Sequence, residues 1–234
     1  MTATDLDGRV LLITGASSGI GAAIAEAAAA VGMRVVLGAR RLDRLEALAA
    51  KLGGDDHARA VQLDVTDWAS NEAFVQAGLD AFGSVDAVVA NAGFGAPRGW
   101  LNSTPEHWHD MVLTNVLGAA YTLRAALPAL TAAKGDAVLT SSVAGRRVLP
   151  GSLYSATKHA VTAMAEAVRL EYAEQGVRVT SIEPGMVDTP FFDDGAPEWA
   201  LADEDVANAV LYALSQPPRA TVTTITLRPS AQVI

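Results

Sequence analysis

The chain contains no cysteine. That excludes disulfides, thiolate nucleophiles and cysteine-ligated metals, and it leaves the redox compartment open. Charge is scarce: 18% of the residues are Asp, Glu, Lys or Arg, and the balance is acidic, at −9. A protein that grips a phosphate backbone needs a basic footprint, so no nucleic-acid partner is expected. Long apolar runs are lacking too. Residues 20–33 are short and interrupted by Glu26, and residues 116–133 are broken by Arg124 and Pro128, so no membrane span is expected. Met1-Thr2-Ala3-Thr4-Asp5 has no basic segment followed by an apolar one, which speaks against a secretory signal and for a cytoplasmic protein. No low-complexity or Pro/Gly-rich stretch divides the chain, and a single domain is expected over all 234 residues.

What is abundant is apolar side chain, at half of all residues. That supports a large core and leaves apolar surface over, which favours a homo-oligomer. Seven short runs rich in β-formers, 10–13, 34–37, 60–63, 85–89, 137–140, 177–182 and 222–227, alternate with Ala- and Leu-rich stretches such as 22–31 and 44–52. The runs are nearly continuous in apolar residues, as strands covered on both faces require. Repeated βα units of this kind predict an α/β fold: a doubly wound, parallel, seven-stranded sheet of Rossmann type, with helices on both faces.

The first run leads straight into Gly15-x-x-x-Gly19-x-Gly21, and a helical pattern follows. Glycines allow a tight turn and close approach of a diphosphate, while the helix N-terminus offers free N–H groups. Gly15, Ser17, Ser18, Gly19, Ile20 and Gly21 are therefore the expected pyrophosphate contacts. The second run ends in Gly38-Ala39-Arg40-Arg41 with no carboxylate; Asp43 comes later, in the first turn of the next helix. An acidic residue at that tip would accept from a ribose 2′-hydroxyl, whereas arginine holds a 2′-phosphate. NADP(H) is expected, with Arg40 as the main phosphate ligand and Arg41 or Ser17 assisting. Asp64-Val65 closes the third run, where the carboxylate either accepts from the adenine amino group or caps the helix beginning near Asp67. Asn91-Ala92-Gly93 closes the fourth, and there Asn91 either borders the ribose or ties adjacent strands together.

Tyr154 and Lys158 stand four residues apart, on one face of a helix. They follow a strand that ends in Ser141-Ser142, so both side chains are expected at the crevice beyond the carboxyl ends of the strands. Hydride transfer to a carbonyl builds negative charge on oxygen, which a nearby acid must quench. A free phenol titrates near ~10, and an adjacent ammonium together with a cationic nicotinamide would lower it. A serine hydroxyl donating to the substrate oxygen would fix its position.

Six ordered motifs now stand together: Thr14-Gly15-Ala16-Ser17-Ser18-Gly19-Ile20-Gly21, Asn91-Ala92-Gly93, Thr114-Asn115, Ser141-Ser142-Val143-Ala144-Gly145, Tyr154-Ser155-Ala156-Thr157-Lys158 and Pro184-Gly185-Met186-Val187-Asp188-Thr189. Over essentially its whole length the chain resembles the short, single-domain branch of the short-chain dehydrogenase/reductase family. The resemblance implies an oxidoreductase that interconverts a carbonyl and an alcohol. Its tetrad would be Tyr154 as acid/base, Ser142 as donor to the substrate oxygen, Lys158 as ribose ligand and modulator of the tyrosine, and Asn115 as holder of a relay water. It further implies that Pro184, Gly185 and Thr189 contact the nicotinamide carboxamide, with Met186 and Val187 alongside, and that the chain forms dimers or tetramers.

Two departures stand out. Ala90 replaces a second asparagine that the family often has before Asn91. Ser142 lies twelve residues before Tyr154, where thirteen is commoner and would select Ser141; the Ser-x-Ala-Gly pattern selects Ser142. For the substrate, Phe94, Trp100, Val148, Leu149, Phe191, Phe192 and Trp199 are candidate apolar walls, and Arg98, Arg146 and Arg147 candidate carboxylate ligands. Residues 188–200 read as a lid. The ending Leu227-Arg228-Pro229-Ser230-Ala231-Gln232 is similar to that of family members acting on small hydroxy acids and aldehydes. A non-catalytic NADPH-binding sensor is the alternative from another class; keeping every catalytic group argues against it.

Overall fold

The computed structural model describes residues 4–97, 99–149, 153–191 and 195–232. Seven parallel strands form one sheet in the order β3-β2-β1-β4-β5-β6-β7. They are β1 (Val10–Thr14), β2 (Arg34–Ala39), β3 (Ala58–Gln62), β4 (Ala87–Ala90), β5 (Asp136–Thr140), β6 (Arg178–Pro184) and β7 (Thr224–Leu227). Every predicted strand is present, within two residues at each end. Chain order reverses between β1 and β4, so a crevice opens beyond their carboxyl ends.

Alternation along β1 divides the core. Leu11 and Ile13 face one side, where α1 (Gly19–Ala30), α2 (Leu42–Lys51) and α7 (Asp203–Leu214) contribute Ile24, Leu45 and Val210. Val10 and Leu12 face the other, with Phe74 of α3 (Trp68–Phe82), Leu130 of α5 (Ala119–Ala133) and Val161 of α6 (Tyr154–Tyr172).

The sequence pattern does not foresee one element. α4 (Pro105–Val112) runs into α5 through a π-helical turn, Leu113–Gly118, and Asn115 lies in it. Such turns are rare and concentrate at functional sites. Gly118 is required here, because a Cβ would stand 2.6 Å from Val65 Cγ2. Read as one helix, 105–133 is long and apolar enough by composition to cross a membrane. In the fold, its Met111, Leu123, Ala126 and Leu130 are buried.

Candidate active site

The glycine turn is held by Thr14, the last residue of β1. Its buried hydroxyl accepts from the backbone N–H groups of Asn91 and Ala92, both at 3.0 Å, while Asn91 Nδ2 donates to Thr14 O at 3.1 Å. Asn91 thus ties β4 to β1, one of its two expected readings. Gly19 takes φ +53°, a conformation that favours glycine, and a Cβ there would press on Thr189 at 3.1 Å. At Gly21 a Cβ would stand 2.4 Å from Gly15 O, so the helix packs directly on the turn. Ser18 occupies the N-cap of α1 without capping it. Its hydroxyl and that of Ser17 instead accept from Arg41 Nη2, at 2.9 and 2.8 Å.

This arrangement modifies the expectation for the two arginines. Arg41, rather than Arg40, lies against the glycine turn. Arg40 is exposed and near enough to Asp64 to help keep its carboxyl below the usual range. The main cause of that lowering is Thr66, which donates to Asp64 Oδ1 through Oγ1 at 2.7 Å and N at 2.9 Å. Asp64 does not cap α3; Asp67 does, accepting from Ala69 N. Val65 is buried against the π turn at Gly118.

Lys158 is 5% exposed, and its Nζ donates to Thr140 O at 2.8 Å. Burial lowers its pKa to about 8. The ammonium sits 5.6 Å from the centroid of the Tyr154 ring, so the two side chains do share a face of α6. The phenol, however, is not made more acidic in this structure. Burial pushes it up to about 12, and a hydrogen bond with Ser142 acts the other way without outweighing burial. The physical reason is desolvation, which disfavours the phenolate, while the nearby Lys158 ammonium is hydrogen-bonded to a backbone carbonyl.

The two serines separate cleanly. Ser141 Oγ donates to Lys158 O at 3.0 Å and pairs with Thr162 Oγ1 at 2.7 Å, which commits it to α6. Ser142 Oγ accepts from Ala144 N, donates to Pro184 O at 3.2 Å and meets the Tyr154 hydroxyl. Gly145 explains the pattern after them, since a Cβ would come within 2.7 Å of Ser141 Oγ, Thr162 Oγ1 and Lys158 O. Asn115 is buried and fully engaged: Oδ1 accepts from Phe94 N, and Nδ2 donates to Phe94 O and Thr157 Oγ1. It reaches the same neighbourhood as Lys158, because a Cβ on Gly93 would stand 3.0 Å from Asn115 Oδ1 and 3.7 Å from Lys158 Nζ.

Past β6, Pro184 and Gly185 continue into a segment that returns over the crevice. Gly185 N donates to Leu227 O, and Met186 N donates to Gln232 Oε1, so the C-terminal turn braces this loop. Val187 bridges to Leu201, which pins both ends of the expected lid, and Thr189 lies on Gly19. Phe191 stacks edge-on against Tyr154 at 5.7 Å and covers Gly95, where a Cβ would meet its ring at 2.7 Å. Trp100 packs on Trp108, and Trp100, Val148 and Trp199 remain exposed. Arg146 is not a free carboxylate ligand: it is bonded to Glu183. Arg98 and Phe192 lie outside the described residues. Thr14 and Thr157 lie inside the sequence motifs, which do not disclose their bracing roles, and Gly95 and the Arg146–Glu183 pair are contributions that no local pattern announced.

The fold and much of the sequence are shared with known proteins. The short chain dehydrogenase family model matches residues 9–198. The chain belongs to that family. It is 41% identical over 230 residues to an uncharacterized oxidoreductase of Staphylococcus haemolyticus, covering 97% of this chain and 99% of that one. Among solved structures, an alcohol dehydrogenase from Thermococcus sibiricus, complexed with 5-hydroxy-NADP, superposes with a TM-score of 0.89 at 37% identity, covering 97% of this chain and 98% of that one. A 3-ketoacyl-(acyl-carrier-protein) reductase from Brucella melitensis, complexed with NADH, gives 0.87 at 30% identity, with 96% and 98% covered. The family, like the relative and both structures, is one of oxidoreductases.

Proposed function

We propose that this protein is an NADP(H)-dependent oxidoreductase that interconverts a carbonyl with a primary or secondary alcohol. The observation that carries the reading is the meeting of Ser142 with the Tyr154 hydroxyl, beside a buried Lys158, at the carboxyl end of the sheet. The residues of the crevice fit a nicotinamide dinucleotide. The N-terminus of α1 has no side-chain cap, Gly15, Gly19 and Gly21 keep the path to it narrow and free of side chains, and both bound neighbours carry such a cofactor. When bound, the nicotinamide supplies the hydride in reduction and accepts it in oxidation.

Tyr154 donates its proton to the substrate oxygen as charge develops there, and takes it back in the reverse direction. Ser142 turns its hydroxyl from Pro184 O to that same oxygen and fixes the carbonyl. Lys158 would hold the nicotinamide ribose, and Asn115, which fixes Phe94 next to Gly93, would hold a relay water. Pro184, Gly185, Val187 and Thr189 would hold the carboxamide end, and Asp64, Val65, Asn91, Ala92 and Gly93 the adenosine half. With its pKa near 12, the Tyr154 phenol stays protonated through neutral pH. Reduction therefore holds its rate there, while oxidation, which needs the phenolate, rises with pH.

NADP(H) is favoured by the absence of a carboxylate at the tip of β2 and by two arginines, Arg40 at the tip and Arg41 on Ser17. Phe191, edge-on to Tyr154, offers an apolar wall suited to a small aldehyde, ketone or hydroxy acid. Exposed Val112, Leu117 and Leu170 support a homodimer or homotetramer, which light scattering at micromolar concentration tests. The function is tested by following NADPH and NADH consumption with aldehydes, diketones, keto esters and keto acids. Turnover of one class with NADPH preferred is expected; saturable cofactor binding without any turnover would contradict the proposal.

A further inference from the structure

Glu183, near the end of β6, is fully buried, and the cation that meets it comes from the turn that carries Ser142. Arg146 Nε donates to Glu183 Oε1 at 2.8 Å, and Arg146 Nη2 reaches Thr224 Oγ1 on β7 at 3.1 Å. Ser181 and Thr226 complete the carboxylate, donating to Oε1 and Oε2 at 3.2 and 3.1 Å. The next residue, Pro184, supplies the carbonyl that receives the Ser142 hydroxyl. One dipeptide, Glu183-Pro184, therefore grips both ends of the turn 142–146: the serine at its start and the arginine at its end. Between those ends the turn is closed by Gly145 N donating to Ser142 O and Arg146 N donating to Val143 O.

We propose that the Arg146–Glu183 ion pair is a positioning device that sets the Ser142 hydroxyl relative to Tyr154. A buried carboxylate is a weak source of stability, since an apolar side chain of similar volume often does as well. What an ion pair with a forked guanidinium contributes is direction. Arg146 spans from the turn across β6 to β7, so the turn cannot slide along the strand ends without losing both contacts. The opposite face of the turn is closed by Gly145 packed on Lys158 O, which lets the pair act on the serine rather than on the whole loop. Of the other charged groups here, Glu166 and Arg169 of α6 border a cavity of about 100 Å³ together with Arg146. They pair with each other at 2.7 Å, and Arg146 adds to Arg169 in holding the Glu166 carboxyl below its usual range. Lys158 lies beyond, on Thr140 O.

This inference rests on the reading of Ser142 as donor to the substrate oxygen. Its test uses Arg146→Met, Arg146→Lys and Glu183→Gln in the full chain, with amide hydrogen exchange across 142–147 beside kinetics. Arg146→Met is expected to speed exchange in that turn and lower kcat about tenfold. Cofactor Kd should stay unchanged, so the loss falls on kcat and not on cofactor binding. Arg146→Lys should recover part of kcat, keeping the charge on Glu183 but not the second contact on Thr224. Glu183→Gln keeps the shape should Arg146→Met fold poorly, and is expected to fall between the two. Unchanged exchange at 142–147 would overturn the positioning role by itself. So would accelerated exchange with wild-type kcat. A wild-type protein that turns over no carbonyl would instead remove the oxidoreductase reading, with exchange in the turn unaffected by that failure.

Discussion

The amino ends of the strands and the crevice at their carboxyl ends treat polar side chains in opposite ways. At the amino ends of the strands, Asp136 receives Arg178 through two bonds, at 2.8 and 2.9 Å, and Arg9 at 2.9 Å. Arg178 also donates to the carbonyls of Leu214 and Gln216, tying α7 to the sheet. Charge there meets charge. At the carboxyl ends one ion pair, Arg146–Glu183, lies toward the β6–β7 edge. In the crevice, however, Lys158 is buried against a carbonyl with no carboxylate partner among the described residues, and the Tyr154 phenol is buried against a serine. The first end is built for the fold, whereas the second buries an ammonium at a cost in stability and keeps a phenol protonated beside it.

The comparison can be broken first at the amino end. Asp136→Ala strands Arg178 and should cost about 3–5 kcal/mol in denaturant unfolding, with kcat per folded molecule unchanged. At the carboxyl end the order inverts. Ser142→Ala should lower kcat about 100-fold with little change in melting temperature. Ser141→Ala, by contrast, should loosen α6 by about 1 kcal/mol and leave most of the activity.

A pH titration sharpens the contrast further. The folded-state pKa of Lys158, about 8, lies below its ordinary 10.5. Between those values the unfolded chain binds more protons, so this group's contribution to stability rises with pH; below about 8 its full cost applies. From pH 8 to pH 10 the stability of wild type relative to Lys158→Met should therefore improve by about 2 kcal/mol. A difference that stays flat would mean that the lysine is not desolvated. The smallest effect is expected at Arg41→Ala, which should cost less than about 0.5 kcal/mol of stability. Its NADPH/NADH affinity ratio should nonetheless fall, and Arg40→Ala, measured in parallel, ranks the two arginines.

What the sequence makes legible is local. Strands buried on both faces announce themselves as apolar runs, and the glycine turn and Tyr154/Lys158 depend on spacings within a few residues. What it hides depends on topology. Arg146 meets Glu183 across 37 residues and Arg41 meets Ser17 across 24, and both contacts exist only because parallel strands bring distant loops to one edge. The choice between Ser141 and Ser142 is ambiguous by spacing and plain by hydrogen bonding, since one hydroxyl is taken up by α6. The π turn at 113–118 left only a faint trace, an asparagine and a glycine in an otherwise helical stretch.

The central claim is that Tyr154 moves the proton in a hydride transfer. The direct measurement compares wild type and Tyr154→Phe for cofactor Kd by fluorescence and for carbonyl reduction at saturating cofactor. The account predicts equal Kd values and a loss of about 10³-fold or more in kcat for the variant. A variant that keeps wild-type turnover would contradict it.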